Sequence, residues 1–189
     1  MLTKIQNKIV GIAGCGGLGS NCAIALARIG IGKLIIVDFD SIDKSNLNRQ
    51  YYFIDQIGKP KVDALEYNIS RVNQNVEVIK HHLKLDSSNI PEIFKDCDVI
   101  VEAFDQAVMK QMIIETVLSE MSDKYLVSGL GMAGWGNNNS IVTKQFDKLY
   151  ICGDMVSEIS DTMPPLAPRV GVVANMQANQ VLDILINLM

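Results

Sequence analysis

The stretch Gly14-Cys15-Gly16-Gly17-Leu18-Gly19 decides how this chain folds. An apolar run, Lys8 to Ala13, precedes it, a helical pattern follows from Asn21 to Ile29, and Asp38 closes the next apolar run. A strand, a glycine turn, a helix and a second strand that ends in an acid form the βαβ fingerprint of nucleotide-binding proteins. The glycines let the backbone turn and approach phosphate, and the acid can accept hydrogen bonds from a ribose. The stretch predicts a nucleotide site but does not decide between a dinucleotide and ATP.

Apolar runs at regular intervals predict the strands of one sheet. They are Lys8–Ala13, Lys33–Val37, Val76–Lys80, Val99–Ala103, Tyr125–Gly129 and Ile141–Phe146. Helical patterns lie between and after them, at Asn21–Ile29, from Gly58-Lys59-Pro60-Lys61 onward, and at Asn89–Lys95, Ala107–Glu120 and Gly171–Leu188. This alternation predicts a single α/β domain over residues 1–189, Rossmann-like and doubly wound. Its central sheet is mostly parallel, with additional C-terminal strands and a final packing helix.

Two segments interrupt the alternation. Gly129–Asn139 is rich in glycine and asparagine and is interpreted as a loop and turn. Asp154–Pro168 holds three prolines, which exclude a helix interior, and is interpreted as a surface crossover.

Composition narrows the class of protein. The chain has 189 residues with 17 basic and 21 acidic side chains, a net charge of −4, which favours neither nucleic acid nor an anionic membrane as partner. We find no apolar run of membrane-spanning length and no secretory signal, and we expect a cytoplasmic location. The four cysteines, Cys15, Cys22, Cys97 and Cys152, form no CxxC pair, which argues against a structural zinc site.

Short polar motifs follow the second strand in a fixed order: Asp38-Phe39-Asp40, then Ser45-Asn46-Leu47-Asn48-Arg49-Gln50, Gly58-Lys59-Pro60-Lys61, and Asp105 at the end of Glu102-Ala103-Phe104-Asp105. With the glycine turn and Pro168-Arg169-Val170-Gly171, this order resembles the ThiF/MoeB superfamily, the activating enzymes of ubiquitin-like and sulfur-carrier proteins. The resemblance spans Lys8 to the C-terminus. It is greatest to short ThiF-like members that activate the thiamine sulfur carrier.

The resemblance implies a site for ATP and Mg²⁺. Asp38 would hold the ribose, Asp105 the metal, and four further side chains the phosphates: Asn46, Arg49, Gln50 and Lys61. The glycines of the turn (Gly14, Gly16, Gly17 and Gly19) and Asp40 would complete the nucleotide site. The chemistry agrees, since arginine presents a planar fork to phosphate, lysine a point charge, and Mg²⁺ prefers carboxylate and phosphate oxygens. Lys59 competes with Lys61 for the lysine role.

The implied reaction is adenylation of the C-terminal glycine of a small sulfur-carrier protein that ends in Gly-Gly, by an enzyme that forms a homodimer. The carrier's tail would lie over the Gly129–Asn139 loop, where Trp135 is a candidate contact. Cys152 is either a thioester-forming or acyl-persulfide-forming residue or, as we favour, a small residue packed at a strand end.

Three other interpretations remain open. The same ATP site could act on another carboxylate, such as one carried by tRNA. An NAD-dependent dehydrogenase or sensor would explain the glycine turn and Asp38 but leave Asn46 to Lys61 without a role. A non-catalytic scaffold could bind the carrier without turnover, because no arginine precedes the first predicted strand, where longer family members carry one that reaches the neighbouring subunit's site.

Overall fold

A single seven-stranded sheet forms the centre of the computed structural model, which describes residues 2–188. The strands are β1 (Ile9–Ala13), β2 (Lys33–Val37), β3 (Glu77–His81), β4 (Val99–Glu102), β5 (Tyr125–Gly129), β6 (Val142–Phe146) and β7 (Leu149–Gly153). Their order across the sheet is β3-β2-β1-β4-β5-β7-β6. Every neighbouring pair is parallel except β6 and β7, which are antiparallel.

Helices cover both faces of the sheet. They are α1 (Gly17–Arg28), α2 (Lys61–Val72), α3 (Ile90–Phe94), α4 (Ala107–Glu120) and α5 (Ala167–Asp183). The core beneath α1, α2 and α5 includes Ile12 and Ile36, whereas their strand neighbours Ala13 and Val37 belong to the core beneath α3 and α4. Successive side chains of a strand point to opposite faces, so the central strands are apolar throughout. The expected doubly wound, mostly parallel architecture with a final packing helix is confirmed.

The strand that the sequence did not predict is β7. It pairs with β6 through the two-residue turn Asp147-Lys148, in which Asp147 adopts a positive φ of 53°. Hairpin turns of this kind usually carry glycine or asparagine, so Asp147-Lys148 is not recognisable as a turn from the sequence. The hairpin leaves β6 fully exposed at the sheet edge and buries β7 against β5.

Two helices begin earlier than their apolar patterns indicate. The first, α1, starts at Gly17 inside the glycine turn, and α5 starts at Ala167. Pro168 lies in the first turn of α5. Backbone N–H groups in a first turn have no intrahelical acceptor, so proline, which lacks the N–H, costs no helical hydrogen bond there. After Asp183 the last helix continues as a π-helical segment, Ile184–Leu188.

The glycine turn places the N-terminus of α1 at the carboxyl edge of the sheet. Gly14 has a φ of +95°, a conformation that L side chains rarely adopt. A Cβ on Gly19 would lie 1.8 Å from the carbonyl oxygen of Gly14, so only glycine allows α1 to pack this closely on the end of β1. None of the helices in residues 2–188 is long and apolar enough to cross a membrane.

Candidate nucleotide-binding site

A cavity of about 530 Å³ opens at the carboxyl ends of β1, β2 and β4. It lies where the strand order reverses between β1 and β4, which is the usual ligand position in open α/β sheets. Its volume is within the range of small-molecule sites. Nine of the eleven residues expected to bind nucleotide or metal line it: Gly14, Gly16, Gly17, Asp38, Asp40, Arg49, Gln50, Lys61 and Asp105.

The N-terminus of α1 faces this cavity without a side-chain cap. Gly16 is the N-cap residue and has no side chain to accept a hydrogen bond, and Gly16 and Gly17 both line the cavity. The first N–H groups of a helix lack intrahelical partners and carry the positive end of its dipole. This end of α1 can therefore bind an anion.

Two acids and a buried lysine form one wall. The Lys61 ammonium lies 2.7 Å from Asp40 Oδ2 and 4.0 Å from Asp38 Oδ2. Asp38 also accepts the backbone N–H groups of Cys15, at 2.7 Å, and of Asp40, at 2.8 Å. Burial raises the pKa of the Asp38 carboxyl above its ordinary value, and the charge of Lys61 opposes the rise. Asp40 is the more exposed of the two acids and has the freer carboxylate for a ligand hydroxyl.

Arg49 and Gln50 come from the end of the short 3₁₀ helix Lys44–Asn48. Arg49 Nη1 donates to Asn48 Oδ1 at 2.7 Å and to the Ser45 carbonyl at 3.3 Å, and these bonds hold the guanidinium beside the cavity. Gln50 also lines the cavity, and its side-chain Oε1 is buried with no hydrogen-bond partner among the described residues. Both side chains keep donor or acceptor groups for a ligand.

Asp105 stands on the opposite side, in the loop that follows β4. Its carboxylate is exposed to the cavity and forms no ion pair or hydrogen bond within residues 2–188. The preceding backbone is fixed because Glu102, fully buried, accepts the N–H of Phe104 at 2.7 Å and pairs with Lys110 at 2.9 Å. An uncompensated carboxylate on a rigid loop fits a magnesium ligand, which shares its ion with phosphate oxygens.

Two expected site residues, Gly19 and Asn46, do not reach the cavity. Gly19 serves the close packing of α1 on β1 described above. Asn46 accepts the backbone N–H of Asp43 through Oδ1 at 3.0 Å and so caps its own 3₁₀ helix. Ser45 and Asn48 line the cavity in its place. Residues three apart share one face of a 3₁₀ helix, a spacing that would have selected this pair had the helix been predicted.

Other residues line the cavity that were not among the predicted site residues. Phe39, whose ring lies 5.8 Å from the Lys84 ammonium, lines the cavity with Leu83 and Leu85 after β3. Ile159, Pro164 and Pro165 reach it from the crossover between β7 and α5. These contacts join segments far apart in the chain, and no local pattern encodes them. Lys59, the competitor of Lys61, is exposed and lies outside the cavity lining.

The cysteines are all buried. Burial raises the pKa of the Cys152 thiol, and its sulfur lies 3.5 Å from the Thr143 hydroxyl. A thiol in this state is a poor nucleophile, which supports the packing interpretation of Cys152. Within residues 2–188 no three histidine, cysteine or acidic side chains cluster to hold a metal.

The fold and the cavity define the general class, a Rossmann-like α/β protein with a ligand cavity at the switch point of its sheet. Comparison with known proteins narrows it: residues 1–188 match the model of the ThiF family. The chain belongs to the ThiF family, as its motifs predict.

Curated relatives agree over most of this chain. The adenylyltransferase and sulfurtransferase MOCS3 of Caenorhabditis briggsae is 33% identical over 190 residues, covering 96% of this chain and 46% of the relative. The tRNA threonylcarbamoyladenosine dehydratase of Bacillus subtilis is 33% identical over 134 residues, covering 70% of this chain and 52% of the relative. The chain therefore spans about half the length of the curated relatives it matches.

Solved structures share the fold. The tRNA N6-threonylcarbamoyladenosine dehydratase TcdA of E. coli, solved with AMP, superposes with a TM-score of 0.87 at 18% identity, over 97% of this chain and 88% of that one. E. coli MccB, solved with MccA-N7isoASN, has a TM-score of 0.73 at 25% identity, over 97% of this chain and 58% of that one.

Proposed function

We propose that this protein is an ATP-dependent adenylyltransferase that activates the C-terminal glycine carboxylate of a small ubiquitin-like sulfur-carrier protein. The observation that carries the proposal is the single cavity that gathers the helix N-terminus, Arg49, Lys61 and the acids Asp38, Asp40 and Asp105. A triphosphate needs several cations and donors together with a metal-binding carboxylate. The family and the name of MOCS3, an adenylyltransferase, support the same activity.

In the proposed reaction a carboxylate oxygen of the carrier attacks the α-phosphorus of ATP. A new O–P bond forms, the bond to the β-phosphate oxygen breaks, and pyrophosphate leaves with the electron pair. No general base is needed, because the carboxylate is already ionised. Arg49, Lys61 and the N-terminus of α1 would neutralise phosphate charge, and Asp40 and Asp38 would orient the ribose.

Asp105 would hold Mg²⁺ together with phosphate oxygens. When bound, the ion supplies charge neutralisation for the pyrophosphate leaving group. The carboxylate suits this role because the protein provides no other partner for it in residues 2–188.

The carrier's tail would enter over the Gly129–Asn139 loop. Met132 of this loop and Pro165 of the crossover line the cavity, and an isolated bridge joins Ala133 to Pro165. Trp135 is 67% exposed in the same loop and can contact the tail.

We also infer that the protein forms a homodimer. Sedimentation equilibrium tests this directly.

The acceptor is the finer part of the proposal. Our hypothesis is the sulfur carrier of thiamine biosynthesis, to which the resemblance of the motifs points. A carboxylate carried by tRNA is the second candidate, favoured by the dehydratase relative and by the TcdA structure. The net charge of −4 counts against an RNA substrate.

ATP–pyrophosphate exchange tests the activity. We expect exchange that requires a carrier ending in Gly-Gly and that disappears when its last glycine is deleted. Exchange driven by tRNA instead would select the second candidate. Calorimetric titration with ATP–Mg²⁺ and with NAD distinguishes either adenylyltransferase from an NAD-dependent protein. Binding of ATP without any exchange would favour the non-catalytic scaffold.

Two substitutions test the site. Asp105→Ala and Arg49→Ala should each lower the exchange rate by about 100-fold, the usual cost of losing one charge-stabilising group. Asp55→Ala and Lys44→Ala are matched controls, since both side chains are exposed and outside the cavity lining. Exchange that survives Asp105→Ala unchanged would remove the metal assignment.

A further inference from the structure

Two side chains anchor the backbone of Cys15 in the glycine turn, one at its N–H and the other at its carbonyl. Asp38 Oδ2 accepts the N–H of Cys15 at 2.7 Å. The Tyr52 hydroxyl donates to the carbonyl of Cys15, also at 2.7 Å. Asp38 belongs to the motif expected to bind nucleotide, whereas Tyr52 belongs to no feature that the sequence singled out.

Tyr52 reaches the turn from a distant part of the chain. It follows the segment that carries Arg49 and Gln50, its side chain is buried, with 6% of the residue exposed, and its hydroxyl lies 3.4 Å from the carbonyl of Lys61. The hydroxyl therefore stands between the glycine turn and the first residue of α2. It connects two elements that each present a phosphate-binding group to the cavity.

We propose that Tyr52 is a positioning residue that fixes the glycine turn for phosphate binding through the Cys15 carbonyl. This inference rests on the proposed function. A trans peptide is planar, and its C=O and N–H point in opposite directions. Holding the Cys15 carbonyl on Tyr52 therefore fixes the direction of the Gly16 N–H, and Gly16 lines the cavity.

The surroundings of the hydroxyl keep it a donor. Burial raises the pKa of Tyr52 well above its ordinary value, with Cys15, Asp38 and Asp40 adding to the rise. The hydroxyl stays protonated throughout the working pH range. Cys15 is itself fully buried, so its carbonyl depends on a protein donor such as Tyr52.

Tyr52→Phe removes this donor and little else. We expect the variant to bind ATP and AMP about tenfold more weakly, the effect of one lost hydrogen bond, while its affinity for adenosine stays unchanged. Adenosine lacks the phosphates that the turn would bind. In exchange assays the KM for ATP should rise by a similar factor, with a smaller change in kcat. Calorimetry and exchange at saturating carrier measure these quantities.

Tyr51→Phe is the matched control. It removes a hydroxyl from the adjacent residue. The only described hydrogen-bond partner of that hydroxyl is the guanidinium of the exposed Arg28, which donates to it at 3.3 Å. We expect wild-type affinity for all three nucleotides. Both substitutions are also made in a Gly171→Ala background. Alanine favours the helix at this position and its Cβ meets nothing within 4 Å, so it should offset any loss of stability.

The outcomes separate the two proposals. Equal weakening of ATP and adenosine in Tyr52→Phe would show a general loss of structure and overturn the positioning role, as would unchanged ATP affinity. A wild-type protein that binds no ATP would instead overturn the proposed function.

Discussion

Asp38 is the most confined carboxylate of the candidate site. Two backbone N–H groups and Lys61 surround it, and burial still raises its pKa above the ordinary value of 3.8. The folded protein therefore binds the Asp38 proton more tightly than the unfolded chain does. The stability that this carboxyl contributes is greatest below the unfolded pKa and is lost as the pH rises through the folded pKa.

This linkage predicts a pH-dependent difference between the wild type and Asp38→Asn. Relative to the variant, the wild type should lose free energy of unfolding as the pH rises from the ordinary aspartate value, and the difference should level off above the folded pKa. Urea denaturation between about pH 4 and pH 7 measures it. Asp55→Asn, a substitution at an exposed position outside the cavity lining, is the matched control. A difference that grows in favour of the wild type with rising pH would contradict the prediction.

At the same scale, nine of the eleven site residues predicted from sequence motifs line the cavity, but the motifs could not predict which way each side chain points. Asp40, Arg49 and Lys61 were identified by type and order, and all three line the cavity. Asn46 was identified on the same grounds and caps its own helix. The difference lies in which face of a one-turn helix points inward, and this is set by packing that the motif does not record.

At the scale of elements, two glycines in helices have opposite roles. Helix propensity alone predicts that alanine would stabilise either position. Gly19 in α1 faces the carbonyl of Gly14, where an added Cβ would lie at 1.8 Å, whereas Gly171 in α5 has open space around it. Gly19 is therefore needed for the close approach of α1 to β1, whereas no contact of α5 requires a glycine at position 171.

The expected results follow from this geometry. Gly171→Ala should stabilise the protein by about 0.5–1 kcal/mol, since alanine restricts the unfolded chain and favours the helix. Gly19→Ala should destabilise it by about 2 kcal/mol or more, because the collision is with rigid backbone. Urea unfolding monitored by circular dichroism measures both. Equal effects at the two sites would show that α1 shifts freely on the sheet.

Elements with strong apolar runs were predictable within a residue or two. The bounds of β2, β5 and α4 agree with the sequence patterns. The strand β7 escaped prediction because its turn lacks glycine, and the start of α5 escaped because its first turn contains Pro168. In both cases the tertiary structure supplies what local propensity does not: β5 and β6 as pairing partners for β7, and a core face for α5.

At the scale of the whole molecule, the cysteines report on the integrity of the fold. All four are free and buried in the two cores. Burial raises the pKa of each thiol, that of Cys97 to about 12. Thiolate, the reactive form, is therefore scarce in the folded protein.

We expect the native protein to react with a disulfide reagent such as DTNB only at the rate at which the fold opens. In denaturing urea all four thiols should react at once, and the native labelling rate should rise in parallel with unfolding. Prior treatment with iodoacetamide should leave ATP–pyrophosphate exchange intact. Immediate labelling of Cys152 in the native protein, located by peptide mapping and accompanied by loss of exchange, would support a covalent role for this residue.

Apolar periodicity, a glycine turn and the order of polar motifs are patterns local in the chain. They were enough to predict the class of fold, the family and nine of the eleven proposed site residues that line the cavity. The tertiary structure decided which side of each motif faces inward, that β7 completes the sheet, and that Tyr52 holds the Cys15 carbonyl. Such contacts join residues distant in sequence. Their geometry follows from how helices and strands pack, and no short pattern of residues specifies it.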